Sequence, residues 1–584
     1  MRRLSILPLV GALAGLVHAA DPAPAWIGVR GPNGTGVYPD SKPPTSWDLT
    51  TGKNVRWVVP LNGWGHGQPV IADGKVFLML EPDVNHLFPR LQCLNLATGK
   101  VLWEDELDHL PVAEPDAAKR VEVYTQWKKY NQMMADGAKF EAEFMEAHKI
   151  GKTEKQAVID RWKQMGYVPI WRLKDATAED GGNEPSRLRV FPPKDAETKM
   201  RKLLMPYGCW EDIYQSTCNF ACIGHAFGVP VWCDGAIYVA TAGGVFAKYD
   251  RDGKRQWLTW SFKPGLTNLS GSGHDTCVRS PIIVGDLFIG TAANNLVAIE
   301  RATGKVRFKD DLKSESIASP VMLTVGKSDI LLTAGPKAYL LPDGKPLKVE
   351  GWLISGMQAL VKHDERDVVF FCGSGEHCDW PSKGVCATPP PAAVRYALVG
   401  DALRGTVVWS GVQDPSGKEK SGYTPGMGGN APWMLYDHGR LYHRSGPIVD
   451  ALNGKIVAGK FWVRNAPVED RATPATAHLL QIAGGNVYGW DHMNMDVYSS
   501  DGKKVASNLF PDPHVTKEQL PIWHGVDSSD DYFSELNGKK NGMISYGFQF
   551  TFGRDCLVAR GLMHLYCFSE GAQLPLAPSP DKHP

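Results

Sequence analysis

The chain has 584 residues, 63 Lys plus Arg against 63 Asp plus Glu, 17 His and 11 Cys. With no net charge there is no global field to gather nucleic acid or an anionic membrane surface, so neither is expected as a partner. The length exceeds that of an ordinary domain but suits a closed ring of repeats built as one body.

Met1-Arg2-Arg3 is a basic start, Leu4 to Val17 is an apolar run too short to span a bilayer, and Val17-His18-Ala19 suits a small-residue cleavage site. Residues 1–19 are therefore expected to be a removed signal peptide, with 20–584 exported to the periplasm or beyond. No other long apolar run follows, so no transmembrane segment is expected after cleavage.

Asn54 to Leu61 looks like the fourth strand of a unit whose first three are missing. From there one pattern recurs. An apolar strand, an Asp-Gly-like turn and a second apolar strand appear at Gln68–Leu78, Val229–Val239 and Ser280–Ile289. A third strand, a polar turn ending in Gly-Lys and a fourth strand follow, most fully at Leu94–Trp103 and Ala298–Phe308. Looser copies of the second turn end at Gly253, Gly344, Gly454 and Gly502, with a weaker one at Gly405. Asp-Gly and Asn-Gly accept the positive φ of tight hairpins, so each unit reads as four antiparallel strands. Ser545 to Phe568 looks like three strands without a fourth. Pairing 54–61 with 545–568 closes the array and removes its exposed edges. The fold class expected is all-β, an eight-bladed propeller of four-stranded blades.

Three stretches interrupt the repeats. Residues 111–209 carry Val121, Tyr124, Trp127, Met134, Phe140, Phe144 and Trp162 in a charged, glycine-poor background that predicts amphipathic helices between the first two units. Cys372 to Pro391 and Asp512 to Asn541 read as long surface loops, with His377 and the acidic run 527–531 incidental.

The turn with its trailing Trp, together with Trp26-Ile27-Gly28-Val29-Arg30-Gly31-Pro32-Asn33-Gly34-Thr35-Gly36, resembles the pyrroloquinoline-quinone (PQQ) propeller superfamily and the opening of its exported PQQ-like repeat proteins. That resemblance implies the propeller across most of residues 26–570 and leaves activity open. Quinoprotein alcohol dehydrogenases of the superfamily hold PQQ with calcium against a vicinal disulfide, and this sequence has no Cys-Cys pair. The main expectation is a secreted propeller binding a small-molecule, carbohydrate or protein ligand at its channel. The alternatives are a PQQ-dependent oxidoreductase, a scaffold like the outer-membrane assembly-factor propeller, and a carbohydrate-active hydrolase or lyase with Trp64 or Trp433 stacking on sugar.

In a propeller the residues just before each first strand gather at one channel mouth. Here they include His66, His225, His274 and Arg279, suited to metal ligation, proton transfer or clamping a carboxylate or phosphate. An exported chain with 11 Cys favours disulfides. The candidates are Cys556 with Cys567, Cys378 with Cys386, Cys222 with Cys233, and Cys209 with Cys218. Cys218, Cys222 and His225 are alternatively a metal set, although their spacing matches no strong zinc signature.

Overall fold

The computed structural model describes residues 26–63, 67–80, 87–165, 168–171, 188–191, 194–209, 228–241, 243–261, 281–292, 295–311, 320–333, 337–351, 358–362, 368–373, 392–410, 434–443, 447–460, 479–491, 494–509, 549–561 and 564–575. Its hairpins begin with turn chemistry. Asp73-Gly74 and Asp234-Gly235 take positive φ at both positions (51° and 70°, 50° and 74°), the backbone whose twist matches paired antiparallel strands. Val70–Ala72 thereby pairs with Lys75–Leu80, and Val231–Cys233 with Ala236–Ala240.

Each such hairpin continues into two more antiparallel strands. The first set is completed by Arg90–Asn95 and Val101–Glu106, the second by Val245–Asp250 and Arg255–Trp260. Further sets run over Ile282–Asp311, Val321–Glu350, Gln358–Ser410, Met434–Lys460 and Leu479–Leu509. Gln549–Phe552, Cys556–Arg560 and His564–Gln573 take their fourth strand from the opposite end of the chain, where Lys53–Pro60 pairs antiparallel with His564–Gln573.

The core lies between consecutive sets. Trp57, Leu78 and Leu94 pack with Val558 and Leu565. Phe77, Met79 and Leu91 pack with Val239 and Tyr249, and Tyr238 and Phe246 with Phe288 and Val297. An aromatic on a fourth strand meets the turn glycine of the next set. A Cβ on Gly253 would lie 2.5 Å from the Trp103 ring, one on Gly304 2.8 Å from Trp257, and one on Gly99 2.9 Å from Trp57. The indole N–H of Trp57 donates to Leu96 O at 2.9 Å and that of Trp257 to Arg301 O at 3.1 Å. Not every set follows this scheme, the corresponding place being Ala458 and Ala506 in two of them and a lysine in a third. In that third set, the place that Trp103 and Trp257 hold relative to their turn glycines is Lys348, which cannot dock. There Lys345–Glu350 pairs in parallel with Ala402–Ser410 instead, joining two sets edge to edge, and Arg404 bridges to Glu350 at 2.9 Å.

Between Glu106 and Val231 the structure has helices at Leu110–Ala113, Ala117–Ile150, Lys152–Gln164 and Lys194–Leu204, and a strand pair, Val168–Trp171 with Leu188–Phe191. Asp116 caps the long helix by accepting from the amides of Ala118 and Lys119. Val123, Trp127 and Tyr130 pack against Phe88, Leu204 and Tyr207, whereas Val121 faces solvent. His109 fastens the insertion to the sheets: its Nε2–H donates to Tyr207 O at 2.8 Å and its ring stacks on Trp260 at 5.0 Å. Among the described residues no helix is long and apolar enough to cross a membrane.

Two outcomes are expected. Gly304→Ala forces a side chain into positive φ against Trp257 and lowers stability by about 2 kcal/mol, read from the urea midpoint. Burial lowers the pKa of His109, so the native state holds it neutral while the unfolded chain protonates below about pH 6.5. Stability then falls as pH drops through that point, and His109→Gln flattens this part of the profile of melting temperature against pH.

Candidate functional site at the channel

The first strands of the sets neighbour one another around a common axis. Val70–Ala72 lies beside Val231–Cys233, Gln358–Lys362 beside Met434–Asp437, and Gln549–Phe552 beside Val70–Ala72. Gln481 Nε2 donates across to Phe550 O at 2.8 Å.

The two ends of this axis differ in how the chain connects its strands. At one end the first strand passes to the second through turns as short as Asp73-Gly74 and Gly484-Gly485, and the third to the fourth through Gly99, Gly253, Gly304, Gly344, Gly454 and Gly502. The opposite end carries the connections Trp260 to Ile282, Gly373 to Ala392, Ser410 to Met434, Lys460 to Leu479 and Leu509 to Gln549, and the helical insertion. Long connections tolerate variation and carry binding residues, whereas tight turns serve packing.

The chain's own residues 26–44 run along the axis and reach its short-turn end. Ile27–Gly28 pairs antiparallel with Val231–Cys233, and Gly31–Pro32 folds back on it as a hairpin whose tip is Val29-Arg30. Because Val231–Cys233 runs away from the long-connection end, its antiparallel partner rises toward that end and places Arg30 there. The Arg30 amide donates to Gln68 Oε1 at 3.1 Å, just before the first strand of the first set. The chain then descends. Val37–Tyr38 pairs in parallel with Ile482–Ala483, a Cβ on Gly36 would strike Leu435 at 2.2 Å, and the Tyr38 hydroxyl lies 3.0 Å from Thr551 Oγ1. Ser41 bonds Gly553 O, and the Lys42 amide donates to Arg554 O at 2.7 Å. A Cβ on Gly31 would sit 2.3 Å from the Tyr38 oxygen, so this crossing admits only glycine.

Two fully buried arginines hold the loop that enters the first set. Arg90 donates to Asn62 O and pairs with Glu104 at 2.6 Å. Arg560 donates to Gly67 O at 3.0 Å and to Met79 O at 2.7 Å. Asn62 and Gly67, which flank residues 64–66 in sequence, thus each accept from a buried guanidinium. The sequence reading passes over both arginines, although an Arg inside each of the apolar runs Phe88-Pro89-Arg90-Leu91 and Val558-Ala559-Arg560 is a visible sign of a buried cation at work.

His66, His225, His274 and Arg279 lie outside the described residues, as do Cys218, Cys222, Cys378 and Cys386. The cysteine expectations need correction where they are described. Cys556 and Cys567 are buried free thiols. Cys556 stands opposite Ser569 and Cys567 opposite Val558, because the hairpin is centred beyond Gly561 rather than at Arg560-Gly561. The two cysteines are diagonal rather than directly opposed. A hydrogen bond from Cys567 holds the Cys556 thiol below its ordinary range, and the same contact with burial pushes Cys567 up. Cys209 is likewise a buried free thiol, and Cys233 is buried 3.2 Å from an Arg301 guanidinium nitrogen, its expected partner Cys222 lying outside the described residues. Burial pushes Cys233 up to about 11, which makes it a packing thiol rather than a nucleophile.

Residues 219–321 match the family model described as outer membrane protein assembly factor BamB. No curated protein matches the sequence. Solved structures similar to it include BamB from Moraxella catarrhalis, at 10% identity over 57% of this chain and 82% of that one, with a TM-score of 0.32. Quinohemoprotein alcohol dehydrogenase from Comamonas testosteroni is 10% identical over 92% of this chain and 80% of that one, with a TM-score of 0.37. The C-terminal WD40 domain of Sif2 is 8% identical over 58% and 79%, with a TM-score of 0.35. The family match and the four-stranded antiparallel sheets support a PQQ-like β-propeller repeat protein. No functional residue is carried over from these relatives.

Arg560→Met strands the Gly67 and Met79 carbonyls without their donor. It is expected to cost about 3 kcal/mol, measured by denaturant unfolding, and to open the 62–67 segment to limited proteolysis before the rest of the chain.

Proposed function

We propose that the chain is an exported PQQ-like propeller, its eight four-strand sets closing as eight blades of one body over residues 20–584, and that it binds a ligand at the channel mouth on the long-connection face. The observation that carries this reading is the one-sidedness of the axis. Residues 37–42 line the short-turn end, where Ser41 and Lys42 bond the Gly553-Arg554 turn, which leaves the opposite end for an incoming molecule. His66, His225, His274 and Arg279 are proposed as the residues that meet it, each lying in sequence just before a first strand. A signal peptide at 1–19 is proposed as the means of export. A protein partner at the same mouth is consistent with the BamB description of the matching family.

The PQQ-dependent oxidoreductase reading is not favoured. The sequence has no adjacent cysteine pair to form the vicinal disulfide, and the described inner strands face the chain's own hairpin along part of the axis where a cofactor would need room. No redox step is assigned.

The test uses the purified full chain. Titration with PQQ plus calcium is followed by absorbance, and titration with dicarboxylates, monosaccharides and oligosaccharides by thermal shift. The expected result is no bound quinone chromophore and a shift from one small-molecule class. That shift should be lost in His274→Ala or Arg279→Ala, with unfolding of either variant within about 0.5 kcal/mol of the parent. A stoichiometric quinone spectrum overturns the reading in favour of the oxidoreductase. A shift indifferent to both substitutions moves the ligand away from this mouth.

A further inference from the structure

Cys556 and Cys567 stand in the last set as a pair of buried free thiols. The register puts them on one face of the sheet. Cys556 lies opposite Ser569 and Cys567 opposite Val558, and both side chains belong to the core shared with the first set. Diagonal neighbours of this kind have Cα atoms ~7–8 Å apart, beyond the ~7 Å that a disulfide spans without moving the backbone. The two thiols nevertheless touch, Cys567 hydrogen bonding to Cys556. The pair is thus poorly placed for a direct S–S bond and well placed to hold one atom between its sulfurs.

The surroundings favour thiolates. Gly553 closes the turn that precedes Cys556, its amide donating to Cys556 O at 2.9 Å. A Cβ on Gly553 would lie 2.7 Å from Cys556 Sγ, so the absent side chain leaves the space that the sulfur uses. On the other flank the strand Lys53–Pro60 carries an extra residue against His564–Gln573. Trp57 stands opposite Cys567 and Val55 opposite Phe568, which leaves Arg56 in a bulge. Arg56 donates to Ser569 Oγ at 2.7 Å and to Asp555 at 2.6 Å, the residues opposite and before Cys556. Its charge acts on both sulfurs. A cation fixed beside two dehydrated sulfurs favours their deprotonated forms, and the thiolate is the metal ligand.

We propose that Cys556 and Cys567 bind one soft monovalent cation, Cu(I), as a two-coordinate bis-thiolate, with the Arg56 guanidinium countering its charge. Binding releases both thiol protons to solvent and forms two metal–sulfur bonds, with no change of oxidation state. Among the described residues no larger group of His, Cys, Asp or Glu gathers to hold a metal, so the pair lacks the four ligands of a structural zinc. Soft thiolates alone select Cu(I), and two collinear bonds of ~2.3 Å set the sulfurs ~4.6 Å apart, a span that suits a diagonal pair. The inference does not depend on the channel reading.

The test uses the purified full chain, reduced and kept anaerobic, with Cu(I) as the added metal. Native mass spectrometry counts bound copper in the parent and in Cys556→Ala, Cys567→Ala and Cys93→Ala, the last in a different core cluster. The expected result is one ion fewer in each of the first two variants and no change in Cys93→Ala. The parent gives a second readout that needs no variant: in mild urea, Cu(I) slows alkylation of Cys556 and Cys567 together by about tenfold or more, followed by peptide mass. Parent stoichiometry in either of the first two variants overturns the assignment, and so does an equal loss in Cys93→Ala. Alkylation of either cysteine at its metal-free rate overturns it as well. A disulfide joining the two cysteines in protein isolated without reductant also overturns it, because the pair is then closed to a metal.

Discussion

The structure depends on one repeated contact, an aromatic ring on the fourth strand of one set lying flat against the turn glycine of the next. Trp57 on Gly99, Trp103 on Gly253 and Trp257 on Gly304 each leave no room for a Cβ. Each glycine also has positive φ, so the same residue satisfies the hairpin and admits the ring. Sheets stacked this way bury their faces in one another, and core clusters accordingly join consecutive sets rather than filling single ones. Where the docking position is Lys348, the neighbouring sets find a different seal, pairing their outer strands in parallel over Lys348–Glu350 and Ala402–Arg404.

Stacking sheets around an axis leaves the inner strand edges with unpaired backbone groups, and the amino-terminal segment meets part of that need. Its hairpin adds a strand to Val231–Cys233, and its descending limb adds one to Leu479–Ala483. Both pairings place this segment along the axis, inside the ring of first strands. The two faces differ accordingly: tight glycine turns and residues 37–42 on one, long connections and the helical insertion on the other. The insertion is fastened at its root by His109, Tyr124 and Tyr207, on the face that carries the long connections.

Much of the repeat was legible because its signals are local. An Asp-Gly pair dictates a hairpin whatever lies beyond it, and a Trp placed regularly after a turn marks a docking surface. The PQQ-like character follows from those residues. The channel filling was not legible: Trp26 to Gly36 has the look of a family opening, but nothing in it announces partners near residues 231 and 482. The cysteine pairing failed for a related reason. Opposing Cys556 to Cys567 needs a hairpin centred just after Gly561, and the actual pairing of Arg560 with Leu565 sets the centre one residue later still, so that the two cysteines become diagonal neighbours. Arg90 and Arg560 were overlooked because a lone Arg in an apolar run reads as a flaw in the pattern until its carbonyl partners are seen.

The claim on which the functional account turns is that residues 27–38 are part of the folded axis. Amide hydrogen exchange of the full chain measures this directly. The account predicts that the amides of Ile27, Gly36 and Tyr38 are protected to the same degree as those of the strands Val231–Cys233 and Leu479–Ala483, because Ile27 and Tyr38 share ladders with them and the Gly36 amide donates to Arg30 O. Exchange of residues 27–38 at the rate of an unstructured peptide, with those strands still protected, would contradict it and leave the axis open at both ends.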